Sequence, residues 1–300
     1  MSQLERIKVI VDTDIGTDPD DGLALAFLAL HPRCDLLGVT IVSGDVRKRA
    51  AIAEILLRTC SPRASSISIH CGRRDPLLEG LGQPYVQQYA YIEHLAHERA
   101  RPYNTAIDFM RRTIRENPGE VVLLTIGPLS NAALLFALDP EIPSLCREVV
   151  SMCGKYFGEE EPKKESNIII DHSAAGMVVK AKRPRHRFVG LDVTRKVTWQ
   201  QDEYLLKFVN RLEGEVKLIL DLLGREWLAR KGRVTFHDPL AAAVIFEPGL
   251  CKWKTGRVTV DQRNGEVDFQ IGEETDLVAA EVDVEAFFRY YLDVFTHLLK

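Results

Sequence analysis

The chain is 300 residues long, 46% hydrophobic and 27% charged, with a net charge of −4. That is enough length and apolar content for one α/β domain, expected to span residues 1–300, to bury a large core. The mild acidity argues against a nucleic-acid binder led by phosphate contacts, and no uncharged apolar stretch reaches membrane-spanning length.

Val9 to Val11 is a β-branched run and reads as a buried strand. It ends in five aspartates within ten positions, Asp12, Asp14, Asp18, Asp20 and Asp21, and Leu23 to Leu30 follows as a helix apolar nearly all round. The acids therefore stand at the C-terminal end of a strand, where open α/β sheets bind ligands. Asp18 suits a helix cap, Pro19 a first turn, and Asp20 and Asp21 the positive end of the helix dipole. That accounts for three acids and leaves Asp12 and Asp14 crowded against them. Such crowding raises carboxylate pKa values unless a cation compensates. Oxygen donors without a neighbouring thiol or histidine pair favour calcium, with magnesium second. An EF-hand does not fit, because its sixth and twelfth positions counted from Asp12 are Thr17 and Leu23 rather than Gly and Glu. The strand ending in Asp-x-Asp also resembles the nucleophile loop of magnesium-dependent haloacid-dehalogenase-type phosphatases. Against that, Gly16 stands where Thr or Val is usual, and no later Gly-Asp-x-x-x-Asp motif follows.

Leu36 to Val42 reads as a second strand and ends at Ser43-Gly44-Asp45 before a helix over Arg47 to Leu57. Asp45 either caps that helix or joins a ligand site at a second strand end. Ile67 to Ile69 is a short strand, and residues 78–100 are irregular, with Tyr85, Tyr89, Tyr91, His94 and His97 on surface helix or on a segment able to close over an aromatic ligand. A helix over Thr105 to Arg115 precedes a buried strand, Val121 to Ile126, whose turn Gly127-Pro128-Leu129-Ser130-Asn131 offers backbone carbonyls at the same sheet edge. Val149 to Met152 is a further strand, and the polar run 158–166 leads to Glu165 and Asn167, which would share one side if that chain is extended.

The basic run Lys180 to Arg187 reads as a solvated helix end and loop, a phosphate patch being the weaker reading, and Phe188 to Val193 as another strand. Gln201 to Trp227 follows as a long helical region, with Trp227 a packing residue or a base-stacking one. His237-Asp238-Pro239 then opens an Ala-rich helix. Here Asp238 is a cap or a cation ligand, and His237 is incidental or a general acid. Residues 252–282 alternate as strands, and Glu285 to Leu299 is a final amphipathic helix. The alternation predicts an open, mainly parallel sheet of Rossmann type with helices on both faces. Neither GxGxxG nor GxxxxGK[ST] occurs, so no nucleotide-cofactor loop is expected. The six cysteines lack metal-ligand spacing, and the first strand begins within ten residues of Met1. Together these lead to the expectation of a reduced, cytoplasmic protein without a signal peptide.

The Asp-Thr-Asp turn, Gly-Pro-Leu-Ser-Asn, Glu-Ser-Asn-Ile and His-Asp-Pro-Leu, in that order over nearly the whole chain, resemble the inosine/uridine-type nucleoside hydrolases. The resemblance implies hydrolysis of a nucleoside's N-glycosidic bond to ribose and free base. A calcium ion would hold the sugar and the attacking water, in a homodimer or homotetramer. It further implies Asp14 as general base and calcium contact, Asp21 and Asp238 as calcium ligands with the Ile126 carbonyl, and Asp12 as support for the turn. Asp20, Glu165 and Asn167 would hold the ribose, and His237 would serve the leaving base. The pattern departs from the family in three places. The acidic turn has two extra residues, which leaves Asp18 without an implied role. Ser43-Gly44-Asp45 replaces Ala-Gly-Asn, which makes Asp45 the ribose contact at that position. The His-Gly-x-x-Gly-Leu segment is unrecognisable around residues 78–90. A non-catalytic, calcium-dependent binder of ribosyl ligands is the remaining alternative.

Overall fold

Strand β1, Ile7–Thr13, is an interior strand of the sheet, and Val9, Ile10 and Val11 are fully buried. The computed structural model describes residues 5–60, 66–78, 80, 82–158, 164–181 and 185–298. Ten further strands follow: β2 Cys34–Ile41, β3 Ser68–Cys71, β4 Val121–Thr125, β5 Glu148–Ser151, β6 His186–Phe188, β7 Thr198–Gln200, β8 Arg233–Thr235, β9 Cys251–Val260, β10 Val267–Ile271 and β11 Asp276–Val282. Nine form one sheet in the order β10-β9-β11-β6-β5-β4-β1-β2-β3, while β7 and β8 pair separately. From β3 across to β11 every neighbouring pair is parallel, and β9 and β10 add an antiparallel edge.

Alternate residues of β1 face opposite layers, as strand geometry requires. Val9 and Val11 pack with helices Asp20–Leu30, Val46–Cys60 and His237–Phe246, whereas Ile10 packs with Ala106–Glu116, Ser130–Leu138 and His172–Lys180. Helix Asp20–Leu30 is apolar all round because it is covered by helices as well as by the sheet. The chain leaves β1 towards β2 and β3, then returns to β4 and continues towards β6 on the other side. That reversal opens a crevice at the C-terminal ends of β1 and β4, the place where α/β sheets bind ligands.

The open parallel sheet with helices on both faces is the one expected, but several local expectations are corrected. The strand expected over Phe188 to Val193 stops at Phe188, and Leu191–Thr194 is a short helix begun at Gly190. The long helical region expected over Gln201 to Trp227 consists of separate helices. Helix Gln201–Lys207 ends in a 3-10 turn, Val209–Arg211, and Gly214 at φ +64° begins helix Gly214–Lys231. His186 and Arg187 of the supposed solvated basic run are buried in β6, where Arg187 pairs with Glu148 at 3.2 Å; residues 182–184 of that run lie outside the described residues. The final helix ends at Val294, short of Leu299. All six cysteines are buried, and none is in a disulfide among the described residues. No helix among the described residues is long and apolar enough to cross a membrane.

Candidate active site

The acidic turn is braced from within by one hydroxyl and from outside by Arg49 and Gln88, which donate to its carbonyls. Thr13, the last residue of β1, donates from Oγ1 to Asp21 Oδ1 at 2.5 Å and accepts from the Ile15 amide at 3.1 Å. Helix Asp20–Leu30 begins after Pro19 without a side-chain cap. The expected capping role of Asp18 is therefore not realised, and its carboxylate stays available. Oxygens of Asp18, Asp20 and Asp21 lie within 4.8 Å of one another. These three line a cavity of about 280 Å³ together with Asp14, Ile126, Glu165, Asn167, His237 and Asp238. Acids separated by more than two hundred residues thus meet at the reversal point of the sheet.

Each remaining group is oriented by a visible contact. Glu165 is the N-cap of helix Ser166–Ile170, and its carboxylate accepts from the amides of Asn167 at 2.8 Å, Ile168 at 3.2 Å and Gly154 at 3.1 Å. The extended alternation expected of Glu165 and Asn167 is therefore a helix start, yet both side chains reach the cavity. Asn167 Nδ2 donates to the carbonyls of Ile126 at 2.9 Å and Met152 at 3.0 Å, which ties it to the ends of β4 and β5. His237 Nδ1 bonds Thr194 Oγ1 at 2.7 Å. Asp12 does not line the cavity. Its Oδ1 accepts from Thr40 at 2.5 Å and Asn131 at 2.8 Å, an arrangement that braces the turn from behind. A buried Asp12 so engaged is no phosphorus nucleophile.

Asp45 is the exception. It accepts from the Lys48 amide at 3.2 Å, faces Lys48 Nζ at 3.5 Å and lies outside the cavity. An acid at the start of a helix satisfies orphan amides, and that use wins here over the ribose contact expected of it. Gly44, beside it at φ +64°, has no room for a Cβ, which would fall 2.2 Å from the Gln83 carbonyl. The aromatic residues of 78–100 do not line the cavity. Tyr85 is 72% exposed and Tyr89 bonds His97 at 3.1 Å, while Gln83 from the same segment reaches the site. Gln83, Leu191 and Met152 are cavity residues that carried no sequence signal; Asp18, which stood out among the five acids but had no implied role, lines the cavity too, as does Trp227.

The electrostatics are those of crowded, buried acids. Burial pushes Asp14 up to about 7, with Asp18 and Glu165 adding to the rise and Arg49 opposing it. Asp20, Asp21 and Asp238 are pushed well above the usual carboxylate range, first by burial and then by neighbouring aspartates: Asp18 and Asp21 on Asp20, Asp14 and Asp18 on Asp21, and Asp20 and Asp21 on Asp238. Burial, with Arg195 nearby, holds His237 down to about 4, so the ring is neutral at pH 7. Several carboxylates that each disfavour the others' charge are the complement of a divalent cation. The donors are all oxygen, which selects a hard ion. The Asp cluster is thus suited to a metal.

A family comparison decides what this site belongs to. The description "inosine-uridine preferring nucleoside hydrolase" matches residues 9–289. The chain belongs to that family. Uridine nucleosidase 1 of Arabidopsis thaliana is 29% identical over 85% of this chain and 78% of its own length. The pyrimidine-specific ribonucleoside hydrolase RihB of Escherichia coli strain SE11 is 29% identical over 66% of this chain and 64% of its own. A plant nucleoside hydrolase structure, PpNRh1, superposes with a TM-score of 0.82 at 22% identity, over 97% of this chain and 99% of that one. The protein is an N-ribosyl hydrolase, an enzyme that cleaves the N-glycosidic bond of ribonucleosides, and the phosphatase and non-catalytic readings are set aside.

Close packing behind Asp14 makes one residue of the hydrolase testable at once. A Cβ at Gly127 would sit 2.9 Å from both Asp14 Oδ1 and the Asp14 amide, and 2.8 Å from Val42 Cγ1. Gly127→Ala must move the aspartate, at a cost of about 1–3 kcal/mol typical of overpacking. A displacement of about 1 Å in a reacting group costs about 10²-fold in rate. The expected result is a loss of kcat of that order with an unchanged circular dichroism spectrum; activity within twofold of the parent would remove this constraint on Asp14.

Proposed function

We propose that the chain is a calcium-dependent ribonucleoside hydrolase in which Asp14 is the general base. The observation that carries it is the meeting of Asp14, Asp20 and Asp21, from the turn after β1, with Asp238 from a distant helix in one cavity that also holds Glu165 and Asn167. On this reading Asp14, Asp21, Asp238 and the Ile126 carbonyl hold the ion, and the geometry adds Asp18 as a further carboxylate beside it. When bound, the ion offsets the repulsion between the acids and polarises the ligands it orients. Six buried cysteines without a disulfide fit a reducing cytoplasm.

The chain's own groups divide the remaining work. Asp20, Glu165 and Asn167 bind the ribose hydroxyls. Glu165 and Asn167 are already fixed by backbone contacts, so little ordering is needed on binding. Cleavage builds positive charge on the sugar, which the surrounding carboxylates stabilise. Asp14 takes a proton from the attacking water. His237, expected as a general acid, enters as a neutral ring oriented by Thr194 and gives the departing base a hydrogen bond. Trp227, on the wall of the cavity, is positioned to meet the face of the base.

The test is a reducing-sugar assay on a nucleoside panel before and after chelation; turnover that persists unchanged without divalent metal would exclude the reading. A second readout does not depend on turnover. Calcium at a hundredfold excess over its Kd is expected to stabilise the parent by about 2.7 kcal/mol, seen as a raised Tm. Asp238→Asn should lose that response and, in chelator, unfold no earlier than the parent, because a buried repelling charge is gone. An undiminished calcium shift in Asp238→Asn removes Asp238 from the ligand set.

A further inference from the structure

The nucleoside-binding cavity opens past His237 and Trp227 into a second one of about 620 Å³, well within the range of small-molecule sites. Its character is opposite to that of the first. Four cations from three stretches of chain line it: Lys164 just before Glu165, Arg195 after the helix Leu191–Thr194, and, on either side of Gly232, Lys231 at the end of helix Gly214–Lys231 and Arg233 on β8. None of the four is within ion-pair distance of a carboxylate among the described residues. The acids on its wall, Asp18 and Glu165, stand on the border with the first cavity, and Glu165 already accepts three backbone amides. The Arg233 carbonyl accepts from Trp227 Nε1 at 3.1 Å, and Lys231 Nζ lies 5.7 Å from the indole centroid. The indole that forms the wall is thus tied to two of the four cations.

Unpaired cations converging on a cavity next to an acidic one are a charge pattern for a ligand with two ends. One end, rich in hydroxyls, suits the carboxylates and their ion, and the other, anionic, suits this annex. We propose that the annex receives the leaving base and that the preferred substrates are ribonucleosides whose base carries a negative charge, a carboxylate on the edge remote from the sugar being the simplest case. This rests on the reading that the ribose sits over the aspartates. The chemistry of the annex is recognition of an anionic oxygen group by Arg195 and Arg233, with Lys164 and Lys231 adding to the field.

Two arms test it. In the first, binding of the free bases 5-carboxyuracil and uracil to the full chain in millimolar calcium is measured by calorimetry, which needs no turnover. The carboxylated base is expected to bind at least tenfold tighter, with a preference that shrinks as salt rises and disappears in Arg195→Glu/Arg233→Glu. Both side chains are exposed, so the double variant should keep its Tm; if it does not fold, Arg195→Gln alone should reduce the preference several-fold. In the second arm, kcat/KM is compared for 5-carboxyuridine, uridine and uridine 5′-monophosphate, and the ratio of the first to the second is expected to fall at least tenfold in the double variant. Equal binding of the two bases, or a preference that survives charge reversal, overturns the proposal. A preference for the 5′-phosphate over the carboxylated base overturns it as well, since it would place the anion on the sugar side. Selective binding of 5-carboxyuracil without hydrolysis of any nucleoside would uphold the annex and instead count against the hydrolase reading on which the substrate assignment rests.

Discussion

Asp14→Asn is expected to lower kcat by about 10²–10⁴-fold, the range that a positioned general base contributes, while leaving the fold intact. The amide keeps the shape of the side chain and its place after β1, so Arg49, which donates to the Asp14 carbonyl rather than to its carboxylate, loses no partner. What disappears is the basic oxygen. Stability should not drop, because Asp14 is a buried acid pushed up to about 7 by burial, with Asp18 and Glu165 adding to the rise. Its ionised form is a cost to the folded, metal-free state, and a neutral isostere removes that cost. A base role predicts a collapse of kcat that saturating nucleoside does not rescue, whereas a mere ribose contact predicts a raised KM with kcat kept. The decisive measurement is steady-state kinetics at saturating calcium alongside urea denaturation. A variant with kcat within fivefold of the parent takes the base role away from Asp14, and one that is markedly less stable shows that the carboxylate is structural.

What could be seen in the sequence is what is written locally. The β-branched run before five aspartates gives the strand, the turn and the site's position together, because a buried strand cannot end in acids without a reason for them. The mainly parallel sheet with helices on both faces followed from strand and helix alternation, whereas the order of its strands came only with the structure. Ile126, Glu165, Asn167, His237 and Asp238 had only family resemblance to link them to the turn, since nothing local says that residues 126 and 238 meet residue 14. Asp45 was ambiguous for a physical reason: an acid at a strand end that precedes a helix satisfies either a ligand or an orphan amide, and the choice depends on the direction of a side chain. Glu165 misled in the opposite way. As an N-cap it begins a helix where an acid followed by Ser and Asn looked like extended chain.

Arg49 left no mark of its own. In the run Arg47-Lys48-Arg49 all three resemble the solvated face of a helix, but 49 lies three residues after Val46 and four before Ala53, both fully buried. Its neighbour Arg47 stacks instead on Tyr103, with its guanidinium carbon 3.9 Å from the ring centroid. Nothing in the sequence singled out Arg49 from its two basic neighbours; the burial of Val46 and Ala53 on the same helix face does so only once the fold is known.

The second large effect is expected at that residue. Arg49 is fully buried, and its guanidinium joins three stretches of chain around the site. Nη1 donates to the carbonyls of Asp14 and, at 3.0 Å, Ile15. Nε donates to Ser43 at 2.8 Å, and Nη2 to the carbonyls of Gln83 at 3.1 Å and Tyr85 at 3.3 Å. Ser43 is held at φ +71°, a conformation rare for a residue with a Cβ, and its carbonyl is one of those the guanidinium satisfies. Arg49→Met keeps the apolar stem and removes every donor, stranding several buried carbonyls at about 1–3 kcal/mol for each one that water does not reach. The effects overlap, so a total loss of about 3–5 kcal/mol is expected, the size seen when one member of a buried charged network is removed. Activity should fall too, because the acidic turn and the segment that presents Gln83 would lose the fork that joins them at Asp14 and Ile15 and be left with the bonds of Gln83 to Thr17 and of Gln88 to Gly16 and Asp18. Arg49→Lys separates charge from geometry: an ammonium restores the positive field on Asp14 but cannot fork between three segments. The lysine variant is expected to recover less than half of the lost stability in urea denaturation. Recovery to within about 0.5 kcal/mol of the parent, the usual scatter for a neutral substitution, would mean that the charge, and not the fork of hydrogen bonds, holds this site together.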